Sequence, residues 1–288
     1  MLTGVDIVIE PGPGPLHLSP AGFARLAQFI TQELGIKMPD TKSIMVQSRI
    51  LRRVTDLGLA SMDLYADYLF APENLPERQY FINAITTNKT DFFREREHFA
   101  YLSNVVLPDF TCRRPRPPRF RAWCAGCSSG EEPYTLAMVL AEYAARERGF
   151  DFAILATDVS TKVLGAAREA VYTEAQILPV PPELRRKYLL ASRGGQGLAR
   201  IVPSLRTRVS FHQLNFMDEY YPIRDIFEAI FFRNVMIYFD RDTQEAVVNK
   251  LCRHLSPGGY LFAGHSESLT GLDVPIRSVM ASVYRKDE

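Results

Sequence analysis

Residues 123–134, WCAGCSSGEEPY, constrain this chain more than any other stretch. A strand-like run at 120–123 precedes them and an apolar-periodic helix follows. A strand, a turn of small residues and a helix together make a cradle of nucleotide size. Glycine lets backbone come close to a ligand, and the first turn of a helix leaves N–H groups without partners. The turn's only glycines are Gly126 and Gly130, so the G-x-G-x-x-G spacing of an NAD or FAD fingerprint is missing. Glu131 and Glu132 follow at once and would repel a pyrophosphate. The segment suits a ligand with ribose hydroxyls and a positive charge but no phosphate.

At 288 residues the chain is long enough for one large domain and a small one. Its 47% hydrophobic and 23% charged residues are ordinary for a globular protein, and a net charge of +1 excludes a strong overall pull on nucleic acid. No apolar run reaches the ~20 residues that span a bilayer, and the N-terminal residues lack a signal peptide's basic-then-apolar pattern. The cysteines Cys112, Cys124, Cys127 and Cys252 are too few for a disulfide scaffold. These features predict a cytoplasmic protein that neither inserts into membranes nor binds nucleic acid.

Residues 1–18 are rich in Pro and Gly and predict a flexible lead-in. Ser19-Pro20 reads as an N-cap followed by Pro at the first helical position; Phe23, Leu26, Ile30 and Leu34 then recur at helical spacing until Gly35. A second helix is expected over about 42–57, with Val46, Ile50, Val54 and Leu57 on one face. Ser61 caps a third carrying Leu64, Tyr65, Tyr68 and Leu69, and Pro76 opens a fourth with Phe81, Ile82 and Ile85 inward. An all-α domain over 19–86 follows.

Beyond the basic, Pro-rich stretch 112–119 the rhythm changes. Strand-like runs at 119–124, 152–157, 206–211, 226–233, 258–264 and 278–285 interleave with helical ones at 131–148, 161–170 and 241–255. Such alternation predicts a doubly wound, mostly parallel α/β sheet over 87–288. Residues 172–205, with Pro179, Pro181, Pro182, Pro203 and the loop 193–197, break the rhythm and predict an inserted subdomain.

In open α/β sheets ligands lie beyond the carboxyl ends of the strands. Asp158 ends the run 152–157; its carboxylate can accept both ribose hydroxyls, or it or Ser160 caps the next helix. Glu131 either faces the same ligand or gains ~0.3–1 kcal/mol from the helix dipole. With an acidic ribose site and a cation-favouring turn, S-adenosylmethionine is the cofactor that fits. Arg233-Asn234 closes a strongly apolar strand and needs partners if buried. Asn234 can hydrogen-bond a ligand with Tyr238 in the same cleft, or the two are structural. The run 88–94 between the two domains concentrates donors and acceptors with an arginine, as a ligand loop would. Thr90 or Asp91 can also cap the helix carrying Phe99, Leu102 and Val106.

Cys124-x-x-Cys127 has no second pair and no nearby histidine pair, so no metal site is predicted from it. The run 264–268, GHSES, resembles a nucleophile elbow without its last glycine, which argues against a hydrolase. Arg49, Arg52, Arg53 and Asp56 fall at i, i+3, i+4 and i+7 opposite an apolar stripe: a solvated face, or a docking row for an acidic partner.

As a set, TTNKTDFFRE (86–95), CAGCSSGEEPYTLA (124–137), ILATDVSTKVLGAAREAVY (154–172), FFRNVMIYFD (231–240) and GHSESL (264–269) resemble the chemotaxis receptor methyltransferase (CheR) family. They stand in the family's order, RILRRVTDLGL (49–59) fits as well, and the likeness covers roughly residues 20–285. The resemblance implies a Rossmann-like methyltransferase sheet, an N-terminal helical receptor-docking domain, and a small β-subdomain at 172–205. It implies methyl transfer from S-adenosylmethionine to glutamate side chains on the cytoplasmic helical bundle of chemoreceptors. Carried across by position, it implies cofactor contacts at Asn88, Thr90, Arg94, Glu131, Asp158, Asn215, Phe216, Arg233 and Asn234. Arg94 and Tyr238 fall near the reacting centre, and Arg49, Arg52 and Arg53 face the acidic methylation helices. In some members the β-subdomain binds a receptor C-terminal peptide; the loop 193–197 is too divergent to carry that ability over. Cys124 and Cys127 stand where small residues are common in the family.

Overall fold

A computed structural model of the chain describes residues 17–112, 119–192, 194 and 197–287. Most of the expected lead-in, 1–16, and residues 193, 195 and 196 of the divergent loop lie outside the described residues. The chain divides into two compact units, Met1–Gln32 with Met38–Ile85, and Glu33–Lys37 with Thr86–Glu288.

The first unit is helical: α1 (Pro20–Leu34), α2 (Ser43–Asp56), α3 (Met62–Phe70) and α4 (Leu75–Ile85). Ser19 Oγ accepts the Gly22 N–H at 3.0 Å and Ser61 Oγ the Leu64 N–H at 3.2 Å, so both expected caps close a first helical turn. Phe23, Leu26, Ile30, Val46, Ile50, Val54, Phe81 and Ile82 are buried. In α3 the inward stripe is Met62, Tyr65, Ala66 and Leu69, whereas Leu64 is exposed. Positions 62, 65, 66 and 69 are i, i+3, i+4 and i+7 of one face, and 64 lies off it.

In the second unit α5 (Arg96–Tyr101) runs through a π-helical stretch, Leu102–Val106, into α6 (Leu107–Cys112). Phe99, Leu102 and Val106 are buried as expected. Neither Thr90 nor Asp91 caps this helix; it starts behind Glu95, whose backbone is left-handed at φ 56°. An α/β succession follows: β1 (Phe120–Ala125), α7 (Glu131–Ala144), β2 (Phe152–Asp158), α8 (Thr161–Glu169). The insertion holds β3 (Val171–Thr173), α9 (Glu174–Ile177), α10 (Pro182–Tyr188), β4 (Leu189–Ala191), β5 (Leu198–Ile201) and α11 (Pro203–Arg206). The chain closes with β6 (Val209–Gln213), β7 (Phe227–Phe232), α12 (Arg241–Arg253), β8 (Leu255–Ala263), β9 (Ile276–Met280) and β10 (Val283–Lys286).

The large sheet has the order β6-β2-β1-β7-β8-β10-β9. Pairing is parallel from β6 to β8 and antiparallel at β10 and β9. The expected single strand over 278–285 is therefore a hairpin, which reverses at Ala281-Ser282 with Ser282 left-handed at φ 54°. The strand expected at 206–211 starts later, because Pro203 opens the short helix α11. From β1 the chain builds outward through β2 to β6, then returns to β1's other side with β7 and β8. The order thus reverses between β1 and β7, and loops leaving their carboxyl ends diverge into a crevice there. Within the insertion, β3, β5 and β4 form a separate antiparallel sheet.

Candidate cofactor and active site

The turn from β1 into α7 is the crevice's floor. Gly126 and Gly130 have φ of +87° and +98°, and Ser128 is left-handed at 48°. A Cβ on Gly126 would stand 2.6 Å from Val235 Cγ2, so the β7 loop comes close only because that side chain is missing. The Gly126 and Cys127 N–H groups donate to the Thr157 carbonyl at 2.8 and 2.9 Å, fastening the turn to the end of β2.

Asp158 is buried at that end. Its two carboxylate oxygens accept the Ser128 and Ser160 N–H groups, each at 2.9 Å. Ser160, not Asp158, caps α8 by accepting from Val163. The Val159 N–H also bears on the Asp158 carboxylate, and every donor it meets is a neutral backbone group. Burial pushes its carboxyl above the usual range, against the pull of the Ser160 and Ser128 N–H groups. Glu131 opens α7 and is likewise buried, and burial raises it too. Ser129 Oγ donates to one of its oxygens at 2.7 Å and Gln176 Nε2, from α9, to the other at 3.1 Å. Asn88 joins the same turn, its carbonyl accepting the Ser128 hydroxyl at 2.8 Å while its amide donates to Thr86 Oγ1 at 3.1 Å. Thr90 is half-buried in that loop.

Around the end of β7 the arrangement is different. Arg233 has a side chain only 1% exposed and is wedged between two carboxylates, Glu95 at 2.9 Å and Glu132 at 2.7 Å. It also donates to the Arg94 carbonyl at 2.5 Å and lies over the Phe99 ring at 5.5 Å. Its guanidinium is occupied in tying the 88–95 loop to α7 and β7. Burial alone would raise Glu95; the adjacent guanidinium overrides it and holds the carboxyl below its usual range. Asn234 takes a left-handed φ of 60°, and its amide donates to Glu95 at 3.3 Å. Glu267 holds that conformation in place: its carboxylate accepts the N–H groups of Asn234 at 2.8 Å, Gly264 at 2.6 Å and Ile237 at 3.3 Å. Tyr238 ends the 3₁₀ turn Met236–Tyr238 and is half-buried. Arg94 is half-buried, with its guanidinium on the Lys89 carbonyl at 3.3 Å.

Phe216 is a core ring, 5.0 Å from Phe232, with its edge 4.0 Å from where a Gly126 Cβ would stand. Asn215 is engaged internally: its amide donates to the Glu33 carbonyl at 2.7 Å and accepts the Met217 N–H at 3.0 Å. Folding thus joins Asn88, Glu131 and Asp158 through one turn, and Arg94, Arg233 and Asn234 through Glu95. Hydrogen bonds do not tie Thr90, Asn215 or Tyr238 to either group among the described residues. Glu95, Gln176 and Glu267 complete the site without having been given roles from sequence, and Glu132, read there only as repelling a pyrophosphate, joins them as a partner of Arg233. Glu95, Glu132 and Glu267 lie inside the motifs, a positional signal; Gln176 has none.

The cysteines of the C-x-x-C run are free and buried, and burial raises both thiols. Cys124 donates to Glu132 at 2.9 Å. In the first unit the arginine row is not one open face. Arg52 is exposed beside Asp56, but Arg53 pairs with buried Glu77 at 2.5 Å and the Arg49 guanidinium donates to the Ile85 carbonyl. A buried carboxylate left without a cation is costly, so Glu77 draws Arg53 inward; the Tyr65 hydroxyl donates to it as well, at 2.8 Å.

A reversal of strand order, a close-approach glycine turn and a buried acid at the strand end, with no cation beside it among the described residues, define a doubly wound protein of the methyltransferase kind. Residues 88–284 match the family described as CheR methyltransferase, SAM binding domain, and residues 21–86 match CheR methyltransferase, all-alpha domain. The chain is 40% identical over 258 residues to a chemotaxis protein methyltransferase of Salmonella typhimurium, covering 89% of this chain and 87% of that one. It is 39% identical over 259 residues to its counterpart in Escherichia coli, covering 90% and 88%. With the protein of that name from Borreliella burgdorferi it shares 36% over 275 residues, covering 94% and 96%. The chain belongs to the CheR methyltransferase family, and is an S-adenosylmethionine-dependent methyltransferase. Among the described residues, no helix is long and apolar enough to cross a membrane.

Proposed function

We propose that this chain transfers a methyl group from S-adenosylmethionine to glutamate carboxylates on the cytoplasmic helices of chemoreceptors, in the cytoplasm, leaving S-adenosylhomocysteine. The likeness to chemotaxis protein methyltransferases along nearly the whole chain supports the substrate class. The observation that carries the cofactor site is Asp158: a buried carboxylate at the end of β2, held only by backbone N–H groups and with no cation beside it among the described residues.

When bound, S-adenosylmethionine supplies an electrophilic methyl on a positively charged sulfur. The chain's own groups then have three tasks. Asp158 accepts the ribose hydroxyls. Glu131, Asn88, Thr90, Asn215, Phe216 and Asn234 line the remainder of the cofactor cleft. Arg233 belongs to the wall of that cleft and shapes it through Arg94 and Glu95. A glutamate side chain, with a reference pKa of ~4.3, is already ionised at neutral pH and needs no general base. Rate then comes from alignment and from excluding water, with reacting atoms brought to about 3–3.5 Å. Tyr238 positions the substrate carboxylate through its hydroxyl, and Arg94 orients the cofactor's carboxylate end. On the first unit Arg52 is the foremost contact for the acidic receptor helices, with Arg49 and Arg53 contributing charge. The three-stranded sheet at 171–201 is a candidate seat for a receptor C-terminal peptide.

The test is transfer of labelled methyl from S-adenosylmethionine to receptor-containing membranes, read as methanol released by alkali. Base-labile label on a receptor band is the expected result. Cofactor binding without label on any receptor tried would replace this reading with a regulatory module or another acidic substrate.

A further inference from the structure

Two of the motifs hold residues to which the methyl-transfer reading gives no contact with cofactor or substrate: Glu95, closing 86–95, and His265, second in 264–269. The fold brings them together with His98, one turn into α5. One ligand-type atom from each of Glu95, His98 and His265 lies within 4.8 Å of the other two.

His98 is fully buried. Its Nε2 stands 2.9 Å from Ser282 Oγ, and that hydroxyl gives its own proton to the Ala281 carbonyl at 2.7 Å. In the tautomer that carries the hydrogen on Nε2, Ser282 accepts it and Nδ1 presents a bare lone pair. Nδ1 has no hydrogen bond among the described residues, yet it lies 3.5 Å from Glu95 Oε2. Two electron-pair donors then face each other, and the cation beside them, Arg233, sits on Glu95 and makes no hydrogen bond to His98 among the described residues. The local charge count points the same way. Arg233 is shared by Glu95 and Glu132, so one guanidinium answers two carboxylates and one negative charge is left over.

We propose that Glu95, His98 and His265 form a binding site for a divalent transition-metal cation of the zinc class. Two imidazole nitrogens and one carboxylate oxygen suit a borderline ion; magnesium and calcium prefer oxygen throughout. Metal–ligand bonds of about 2.0–2.2 Å in a tetrahedron put ligand atoms about 3.3–3.6 Å apart. The Glu95–His98 pair already has that spacing at 3.5 Å. His265 is exposed, and its ligand atom lies within 4.8 Å of the other two. Ser282, holding Nε2–H, is the outer partner that fixes a ligating histidine's tautomer. Three protein ligands leave one position open. Glu95 Oε2 also accepts from Arg233, so an ion there loosens the tie that holds Arg94. Resting on the proposed function, occupancy is expected to inhibit transfer.

The experiment is calorimetric titration of the full, chelator-stripped chain with zinc chloride, repeated with cobalt(II) as a visible-absorption probe of geometry. One zinc per chain is expected, with affinity about tenfold or more weaker in His265→Ala. The same titration is expected to be unchanged in Cys112→Ser, since Cys112 is the exposed thiol. His265→Gln, similar in bulk, serves as a second variant with the same expected loss. Parent-like zinc affinity in both His265 variants, or binding abolished in Cys112→Ser, would overturn the site. Because binding is read directly, the result stands even if receptor methylation is not found. Where methylation is found, zinc should inhibit the parent and spare His265→Ala.

Discussion

Asp158 and Glu131, on the β2 side of the crevice, and Glu95, on the β7 side, are all carboxylates withdrawn from water, but only Glu95 has a cation against it. Burial raises the first two, while the guanidinium of Arg233 holds Glu95 down. A buried charge is tolerated when it is paired or well hydrogen-bonded. On the β7 side the chain supplies the counter-charge itself and gains a rigid wall. On the β2 side it supplies only neutral donors among the described residues, and under the proposed function the contact that remains to be made belongs to the cofactor. On that reading compensated acids build the site and uncompensated ones serve it. Arg53 with Glu77 repeats the compensated pattern in the first unit.

The largest effect that could break this contrast is expected at Arg233. Arg233→Ala leaves two carboxylates facing each other and should cost about 3–5 kcal/mol of stability, read by denaturant unfolding. A parent-like midpoint would mean that the wall is not electrostatic. Next comes Asp158→Ala, expected to weaken S-adenosylmethionine binding about tenfold to a hundredfold, or ~1.5–3 kcal/mol, with a smaller effect on unfolding than Arg233→Ala. Affinity near that of the parent by calorimetry would remove the ribose assignment. The parent's affinity should also fall as pH drops through the raised pKa of Asp158: the carboxylate is present above that value and neutral below it. Asp158→Ala should not show that step.

A more moderate effect is expected at Tyr238. Tyr238→Phe should slow transfer about tenfold, the worth of one hydrogen bond, with cofactor affinity unchanged. Equal slowing and loss of affinity would put Tyr238 in the cofactor cleft instead. The smallest effect on stability, and the sharpest pairing, is in α2. Arg52→Glu should leave unfolding within about 0.5 kcal/mol of the parent while lowering receptor methylation. Arg53→Glu should destabilise, because it sets a second carboxylate beside buried Glu77. If both variants unfold alike, the Arg53–Glu77 pair contributes nothing that exposure does not explain.

Much of the frame was legible because it is written in short-range pattern. The stripe Val46, Ile50, Val54, the caps Ser19 and Ser61, and the apolar runs of β1, β2 and β7 each lie within one element. The place of Asp158 at the end of β2 was legible for the same reason, because an apolar run and its polar last residue are neighbours in sequence. What escaped the sequence was pairing over long separations. Arg233 meets Glu95 and Glu132 across 138 and 101 residues, and no local period connects those positions. The start of α5 was misplaced for a related reason. Left-handed Phe93 and Glu95, at φ 55° and 56°, delay the helix, and the tie to Arg233 holds them there.

By itself the sequence determined the two-part architecture, the parallel sheet, the glycine turn and the kind of ligand that turn admits, because periodicity, turn chemistry and local charge act between near neighbours. Only the tertiary structure decided which charged residues are neutralised and which are left for a ligand. That depends on which side chains share a few ångströms of low-dielectric space, and chain order does not specify it. For the same reason Arg53, read from sequence as part of an exposed row, and Arg233, read as needing partners if buried, became internal counter-ions. Glu95, His98 and His265, unremarked along the chain, became neighbours.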